Sequence, residues 1–331
     1  MNMLNTICAI VLATAASLAV AAEPAKEIRI GIIGLDTSHS PEFTKLLNDP
    51  KAASDLAGVR VVAAFPGGSH DIPHTFGEIP KFTKQLRGMG VEIVGSIDEL
   101  LKHVDAVMLE SVDGRPHLEQ ARPVIAAGKP LYVDKPMAVS LADAMEIFRL
   151  ADAKHVPCFS ASSLRYIPGF QSVRNKTSPF GDIRRCTAWS PLNIEPHHPD
   201  LFWYGIYGVE SLYTIMGPGC KTVTRVAPDK VVGVWADGRE GTFVATPKGK
   251  PAYGAEVEGS RRSGVAGTFE GYRPLVVEIV KFFKTGKPPV DAAETLEILA
   301  FMEAADQSKQ QGGKPVTIES VMKKARESLA K

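Results

Sequence analysis

From residue 27 to about residue 157, short apolar runs alternate with longer stretches whose apolar residues recur every three or four positions. The runs include EIRIGIIGL (27–35) and VRVVAAF (59–65), and the periodic stretches include SPEFTKLLND (40–49) and SLADAMEIFRLADAKH (140–155). Short buried strands separated by amphipathic helices are typical of right-handed βαβ units around a parallel sheet. Residues 27–157 are therefore predicted to form a doubly wound parallel-sheet domain of an α/β protein.

After about residue 157 the pattern changes, because β-rich segments follow one another without regular helices between them. They include DIRRCTAWSP (182–191), CKTVTRVAP (220–228) and GTFVATP (241–247). Two later stretches, 272–286 and 291–312, have the periodicity of amphipathic helices. Strands in succession, with helices grouped apart, predict a sheet covered on one face by helices. Residues 158–331 are therefore predicted to form a second α/β domain with a large, mostly antiparallel sheet.

The first 22 residues have no charged side chain and an apolar middle, and they end in small residues. Ala19, Val20 and Ala21 fit the small-x-small pattern that signal peptidase requires, and cleavage after Ala22 fits it too. A membrane anchor is the alternative, although the apolar run is short for a membrane span. We expect residues 1–22 to be a cleaved signal peptide. The mature protein is then exported to the periplasm or the extracellular space and is not held in a membrane.

The 331 residues carry a formal net charge of +1, which gives no electrostatic basis for binding nucleic acid. Cys158, Cys186 and Cys220 lie beyond the predicted signal peptide and have no CxxC spacing. They are interpreted as buried small apolar residues, with one disulfide remaining possible. The adjacent His197 and His198 lack the spacing of helical metal ligands and have no evident third ligand, so no metal site is predicted.

Three stretches carry a family resemblance: VDKPMA (133–138), FFKTGKPPVDAAETLEILAFMEAA (282–305) and DAVMLESVDGRPHLEQA (105–121). With the order of predicted elements, they resemble the glucose–fructose oxidoreductase, inositol dehydrogenase and rhizopine-catabolism family, Gfo/Idh/MocA. The resemblance covers nearly all of the chain after the predicted signal peptide. It implies a Rossmann domain followed by an α/β domain whose open sheet often forms the interface of a dimer or tetramer. It also implies NAD(P)-dependent oxidation or reduction of a sugar or cyclitol carbon held between the domains.

A Rossmann phosphate loop needs glycines for a tight turn, for close approach to the pyrophosphate and for helix packing. Gly34 supplies the first glycine, but Asp36 and His39 occupy the second and third places. A carboxylate about 4 Å from a phosphate charge is repelled by roughly 4 kcal/mol at an effective dielectric of 20. In one interpretation Asp36 caps the helix, and the backbone amides with the hydroxyls of Thr37 and Ser38 bind the phosphates. In the other, the segment is only a polar turn and no dinucleotide binds.

The second predicted strand ends in Phe65 and Pro66, where an acidic residue normally binds the adenosine ribose. Phe65 either stacks on an adenine or packs in the core. Because no Arg or Lys follows at once, NAD is favoured over NADP. The resemblance implies further cofactor-binding positions after the later strands and at one helix start. The full candidate set is Gly34, Leu35, Asp36, Thr37, Ser38, His39, Phe65, Glu110, Ser111, His117 and Asp134.

The lysine of the family's Glu-Lys-Pro motif, which lies beside the reacting carbon, corresponds to Lys135. Burial at a strand end is expected to lower its pKa toward the working range, and Pro136 is expected to fix the backbone, with a cis bond allowed. The family's second catalytic element, Asp-x-Gly-x-His, aligns with residues 203–207, where Trp203 replaces the aspartate and Tyr207 the histidine. A phenol exchanges protons near neutral pH only with help, which a lysine ammonium supplies by stabilising phenolate. Lys135 and Tyr207 are therefore the candidate catalytic pair, and packing of Tyr207 in the core is the alternative.

Four residues are candidates for binding the substrate. Arg165 corresponds to a family arginine that often reaches substrate, and a structural ion pair is its alternative role. His198 and Trp203 belong to a polar and aromatic loop suited to a sugar, and Glu210 lies one helical turn from Tyr207.

Three functions are compatible with these residues. The first is an exported NAD-linked oxidoreductase acting on a sugar, cyclitol or glycoside, and it leads because Lys135 and Arg165 are both in place. The second is a catalytically silent carbohydrate-binding relative, which Asp36, Trp203 and Tyr207 favour. The third is a non-redox lyase or isomerase that uses Lys135 and Tyr207 as an acid/base pair.

Overall fold

The computed structural model describes residues 27–330, so the predicted signal peptide and its cleavage site lie outside the described residues. Residues 27–330 form two sheets with helices packed against them. No helix in this range combines the length and the apolar composition needed to cross a membrane.

The first sheet is made by six strands in the amino-terminal half: β1 (Ile28–Ile33), β2 (Val59–Phe65), β3 (Glu92–Ile93), β4 (Ala106–Leu109), β5 (Leu131–Val133) and β6 (Cys158–Ser160). All of the strand pairs are parallel, and the order is β3-β2-β1-β4-β5-β6. The order reverses at β1, which creates the crevice where doubly wound sheets bind ligands. The predicted Rossmann architecture is confirmed.

Helices connect these strands: α1 (His39–Leu47), α2 (Pro73–Phe76), α3 (Ile79–Gly88), α4 (Ile97–His103), α5 (His117–Ala126) and α6 (Leu141–Ala153). Ser140 caps α6, because its hydroxyl accepts a hydrogen bond from the amide of Asp143 at 3.0 Å. Ser40 lies inside the first turn of α1. Its hydroxyl donates to the carbonyl of Gly34 at 2.8 Å and thus holds the helix against the end of β1.

The second half contains seven strands and five helices: α7 (Pro168–Arg174), β7 (Ile183–Ser190), α8 (Gly205–Met216), β8 (Cys220–Ala227), β9 (Lys230–Trp235), β10 (Glu240–Ala245), β11 (Gly254–Gly259), β12 (Ser263–Thr268), α9 (Arg273–Thr285), α10 (Ala292–Gln310), β13 (Val316–Thr317) and α11 (Ile318–Leu329). Short 3-10 helices cover Ser163–Tyr166 and Asp200–Phe202. The sheet order is β12-β11-β7-β10-β9-β8-β13, and only the β7–β10 pair is parallel. The predicted large, mostly antiparallel sheet is confirmed.

The chain crosses the predicted boundary at residue 157 in two places. Strand β6 pairs with β5 and completes the first sheet, whereas the sequence pattern assigned it to the second domain. Helix α9 packs back on the first sheet, where Leu275, Ile279 and Phe282 are fully buried in one core with the residues of β1 and β2. The amphipathic pattern of α9 identifies its apolar face but not which sheet covers that face.

Cys158, Cys186 and Cys220 are buried free thiols. Burial raises the pKa of the Cys220 thiol to about 12 and raises those of Cys158 and Cys186 as well. The interpretation of these cysteines as small apolar core residues is confirmed.

Candidate active site

A cavity of about 450 Å³ lies between the carboxyl edge of the first sheet and the second domain. The first domain lines it with the start of α1 and with Lys135, just after β5. The second domain contributes an aromatic wall, defined here as Trp203, Tyr204, Tyr207, Tyr253 and Tyr272. Aromatic faces opposite a cluster of polar groups suit a polar ligand with an apolar ring face.

The motif residues form a chain of contacts at one side of this cavity. Asp134 Oδ2 lies 2.8 Å from His39 Nδ1 and 3.5 Å from Lys135 Nζ. Its other oxygen accepts a hydrogen bond from the Tyr132 hydroxyl at 3.1 Å. Lys135 Nζ lies 4.8 Å from the centre of the Tyr207 ring. The structure therefore brings the predicted catalytic pair together and joins it to His39 through one buried carboxylate.

The expected lowering of the Lys135 pKa is wrong. Burial alone lowers the pKa of Lys135, but the charge of Asp134 and the contacts with Tyr207 outweigh it and raise the pKa above the ordinary lysine value. Burial raises the pKa of the Tyr207 phenol despite the nearby ammonium. Lys135 is thus a fixed cation at neutral pH, and the Lys135–Pro136 peptide bond is cis, as the sequence allowed.

In the phosphate loop, the side chain of Asp36 points into the protein and not into the cavity. The Asp36 carboxyl is buried and accepts a hydrogen bond from the amide of Val112 at 3.2 Å, so it caps the loop after β4 and not helix α1. Its second oxygen has no hydrogen-bond partner among residues 27–330. Thr37 and Ser38 line the cavity, as the sequence predicts for phosphate ligands, and Asp36 does not. The Asp36 carboxylate, which was predicted from the sequence to repel a diphosphate, therefore points away from the cavity.

Burial raises the pKa of Asp36 to about 6, from 3.8. Because the folded protein then holds this proton more tightly than the unfolded chain, Asp36 destabilises the fold increasingly as pH rises from about 4 to about 6. We expect Asp36→Asn to raise the free energy of unfolding at pH 8 by about 1–3 kcal/mol and to give no gain at pH 4. Urea unfolding at both pH values measures this, with the exposed Asp229→Asn as the control. An equal gain at the two pH values contradicts it.

Two loops close over the end of β1. The amide of Gly34 donates to the carbonyl of Phe65 at 3.0 Å, and the amide of Leu35 donates to that of Pro66 at 2.6 Å. Gly34 has a φ of +96°, and a Cβ there would lie 2.3 Å from the amide nitrogen of Ser111. Only glycine fits this position. Gly34 and Leu35 therefore hold the loops after β2 and β4 together, and Phe65 is partly buried against the core.

A polar junction, defined here as Ser69, Asp71, Asp113, Arg115 and His198, joins the same loops farther out. The Ser69 hydroxyl and the Arg115 guanidinium both donate to Asp113, and Arg115 also pairs with Asp71 at 2.7 Å. His198 Nε2, from the second domain, lies 3.1 Å from Asp113 Oδ1. Burial raises the Asp113 pKa, but the close contact with His198 and the hydrogen bonds from Arg115 and Ser69 outweigh it and hold that pKa below its ordinary value. His198 therefore binds this junction and does not line the cavity.

Glu110, Ser111 and His117 are completely buried beneath the cavity. Burial raises the pKa of Glu110 well above its ordinary value, and neither of its carboxyl oxygens has a hydrogen-bond partner within the described range. The His117 ring lies 2.8 Å from the carbonyl oxygen of Ser111 and 3.2 Å from that of Met137. His117 thus ties the loops after β4 and β5 together, which is a positioning role.

Arg165 and Glu210 pair with each other away from the cavity. Arg165 Nε lies 2.9 Å from Glu210 Oε1, and Arg165 Nη1 lies 2.7 Å from Glu294 Oε1. Glu210 also accepts a hydrogen bond from the amide of Ser162 at 2.8 Å. Burial raises the pKa of Glu210 even beside Arg165, whereas Arg165 and Arg174 outweigh the burial of Glu294 and lower its pKa. The structural ion pair, and not substrate recognition, accounts for both Arg165 and Glu210.

Several residues at the cavity and the junction were not predicted from the sequence. They are His74, Asn193, Glu195, Tyr204, Tyr253 and Tyr272 in the cavity, and Ser69, Asp71, Asp113 and Arg115 in the junction. The segment SVDGRPH after β4 has the turn-forming Asp-Gly and an adjacent arginine that mark a structured polar loop. Nothing in the sequence around Tyr253 or Tyr272 distinguishes them from core aromatic residues.

Comparison with known proteins agrees with this arrangement. Residues 28–162 match the model of the GFO_IDH_MocA family, described as an oxidoreductase family with an NAD-binding Rossmann fold. No curated protein sequence matches the chain.

Solved structures share the fold over nearly all of the described residues. An oxidoreductase from Thermotoga maritima is 16% identical with a TM-score of 0.69, and the match covers 89% of this chain and 100% of that one. An oxidoreductase from Agrobacterium radiobacter, solved with NAD+, L-tartaric acid and magnesium, is 17% identical with a TM-score of 0.68 and coverages of 89% and 99%. A scyllo-inositol dehydrogenase from Lactobacillus casei, solved with NAD(H) and scyllo-inositol, is 14% identical with a TM-score of 0.67 and coverages of 89% and 100%. The match of residues 28–162 to the family model and the fold that both domains share with these structures confirm the resemblance to the Gfo/Idh/MocA oxidoreductases.

Proposed function

We propose that the protein is an NAD-dependent oxidoreductase that acts on a CH–OH group of a sugar, cyclitol or glycoside bound between its domains. The observation that carries the proposal is Lys135, held as a buried cation by Asp134 beside Tyr207 and facing an aromatic wall. A fixed ammonium stabilises negative charge that develops on a substrate oxygen. The neighbours solved with NAD(H), one of them with scyllo-inositol, support the same class of substrate.

The residues fit a nicotinamide dinucleotide at the inner end of the crevice. Thr37 and Ser38 line the cavity at the start of α1, where backbone amides and hydroxyls bind phosphate. Asp36 is turned away, and its amide partner Val112 belongs to the loop after β4. At the adenosine end the fit requires the polar junction to open, because the loops after β2 and β4 meet over β1 there. A bound dinucleotide would supply the hydride acceptor.

The chain's own residues then have distinct tasks. The aromatic wall packs against the apolar face of the substrate ring and keeps water from the reacting carbon. Lys135 donates a hydrogen bond to the substrate oxygen, and Tyr207, which lines the same cavity beside Lys135, supplies a second donor through its hydroxyl. Asp134 keeps Lys135 charged and fixed in position.

Titration of the mature protein with NADH tests the proposal. We expect the nicotinamide fluorescence to rise and shift as NADH binds, and NAD to be reduced when sugars and cyclitols are supplied one at a time. The Lys84→Met variant, which changes an exposed lysine of the same domain, serves as the control. Unchanged NADH fluorescence, with no cofactor released on denaturation, overturns the proposal.

The second candidate is a silent carbohydrate-binding protein. It is favoured by the burial of Leu35 and Asp36 beneath the loop that follows β2, since this turn is open in a Rossmann domain that holds a dinucleotide. Binding of sugars to the mature protein without any binding of NADH distinguishes this function from the first.

We further propose that the protein is exported and forms a homo-oligomer through the open face of the second sheet. Residues 1–22 motivate the first part, and sequencing of the amino terminus of the mature protein tests it. Val226, Val234 and Val265, on β8, β9 and β12, are 51%, 40% and 49% exposed and motivate the second part. Light scattering tests it, with a monomer as the contradicting result.

A further inference from the structure

The imidazole of His39 occupies an unusual place for a residue of the phosphate loop. Its Nδ1 lies 2.8 Å from Asp134 Oδ2, the same oxygen that pairs with Lys135. Its ring stacks on Phe43 with centroids 5.1 Å apart and meets the edge of Tyr272 at 4.9 Å. Three contacts, with Asp134, Phe43 and Tyr272, therefore fix the orientation of the His39 ring.

The second ring nitrogen of His39 is free. Within residues 27–330 the ring makes its one side-chain hydrogen bond through Nδ1, and His39 lines the cavity beside Lys135 and Tyr272. A carboxylate on Nδ1 holds the neutral imidazole in the tautomer that leaves Nε2 as the acceptor, and it stabilises the imidazolium that forms. This is the arrangement of a general base.

The neighbouring groups cannot take that role. Oxidation of an alcohol needs a neutral acceptor for the hydroxyl proton. Lys135 is held in the charged form by Asp134, and burial raises the pKa of Asp134 but is outweighed by the contacts of that carboxylate with His39 and Lys135, so Asp134 stays ionised. The Tyr207 phenol is protonated near neutral pH. Imidazole is the side chain whose protonation changes between pH 5 and 8.

We propose that His39 is the catalytic base of the reaction, taking through Nε2 the proton of the substrate hydroxyl. This inference rests on the proposed function. One O–H and one C–H bond break and the carbon becomes a carbonyl, while a bound nicotinamide dinucleotide would accept the hydride with its two electrons. The proton remains on Nε2, which returns it to the oxygen when a carbonyl is reduced. The phosphate loop thereby supplies the imidazole that Tyr207 replaces in the second domain.

Several polar groups surround the His39 ring. Asp134 faces Nδ1 from the end of β5, and Lys135 contacts the same carboxylate oxygen. Tyr272 contributes a ring edge from the start of α9, and the buried Glu110 lies beside Asp134.

NMR of the mature protein with 15N-labelled histidine tests the base assignment without any substrate. His39→Gln identifies the resonances of His39, and His70→Gln, which removes an exposed histidine outside the cavity, is the control that leaves them unchanged. We expect the neutral ring to carry its proton on Nδ1, which donates to Asp134, and to leave Nε2 without a proton. A neutral ring with its proton on Nε2 overturns the inference.

Addition of NADH and of a turned-over sugar completes the test. We expect His39→Gln to bind NADH normally and to lose about 10²–10⁴-fold in kcat with little change in KM. Full turnover by His39→Gln overturns the inference. Loss of NADH affinity in His39→Gln also overturns it and identifies His39 as a ligand of the diphosphate. Failure of the unsubstituted protein to bind NADH instead overturns the proposed function.

Discussion

Replacing Lys135 by methionine is expected to reduce kcat for NAD-dependent oxidation by about 10²–10³-fold while NADH affinity changes little. The ammonium lies between Asp134 and the Tyr207 ring in the cavity, so its loss removes the fixed positive charge next to the developing oxyanion. Methionine keeps the length and the apolar stem of the side chain. Steady-state kinetics on the sugar or cyclitol found in the NADH screen, with Lys84→Met as the matched surface control, measures the effect.

The accompanying variant Lys135→Arg separates charge from geometry. Arginine restores the cation but not the compact shape that fits between the carboxylate and the ring, so partial recovery is expected. An unchanged kcat in Lys135→Met would show that Lys135 takes no part in the reaction. The first proposal would then lose its main support in favour of the silent carbohydrate-binding function. Loss of NADH affinity in the same variant assigns Lys135 to cofactor binding instead.

Replacing Arg165 by methionine is expected to lower the free energy of unfolding by about 3–5 kcal/mol at pH 8. The change leaves the carboxylates of Glu210 and Glu294 buried without their shared cation, and only Glu294 retains a second partner, Arg174. Burial then raises the pKa of both carboxyls. Because the folded variant binds protons more tightly than the unfolded chain, the loss is expected to shrink as pH falls toward 5.

Urea unfolding at pH 8 and pH 5 measures this loss. Arg185→Met is the matched control, since Arg185 pairs with Glu258 on the exposed side of the second sheet and should have little effect. A loss of stability that does not depend on pH contradicts the electrostatic explanation. Retained stability together with weaker sugar binding instead supports the original assignment of Arg165 to substrate.

The sequence predicts the two sheets well because apolar runs and their spacing directly encode buried strands and covering helices. The motif VDKP likewise locates Lys135, since a polar residue directly after a buried parallel strand must lie at the carboxyl edge of the sheet. Other features depend on tertiary contacts. The apolar face of α9 is evident from the sequence. That this face packs on the first sheet depends on the path of the chain through the second domain, which no local pattern specifies.

The same limit applies to the site. The burial of Lys135 is predicted from the sequence, but the direction of its pKa shift depends on Asp134. The bond between Asp134 and His39 is not evident from any local sequence pattern. Arg165 has the same sequence context whether it binds substrate or Glu210, and only the position of α8 distinguishes the two roles. Tyr253 and Tyr272 reach the cavity because loops of the second domain fold back over it.

The polar junction has a thermodynamic consequence for any dinucleotide that enters this crevice. Arg115 is shared between Asp71 and Asp113, and Asp113 also contacts His198 of the second domain. On the proposed function, an adenosine is accepted only when these contacts open, and a measured Kd then equals the intrinsic constant divided by the fraction of molecules in the open state. Weak apparent affinity in this protein can therefore reflect a closed crevice and not poor contacts with the cofactor.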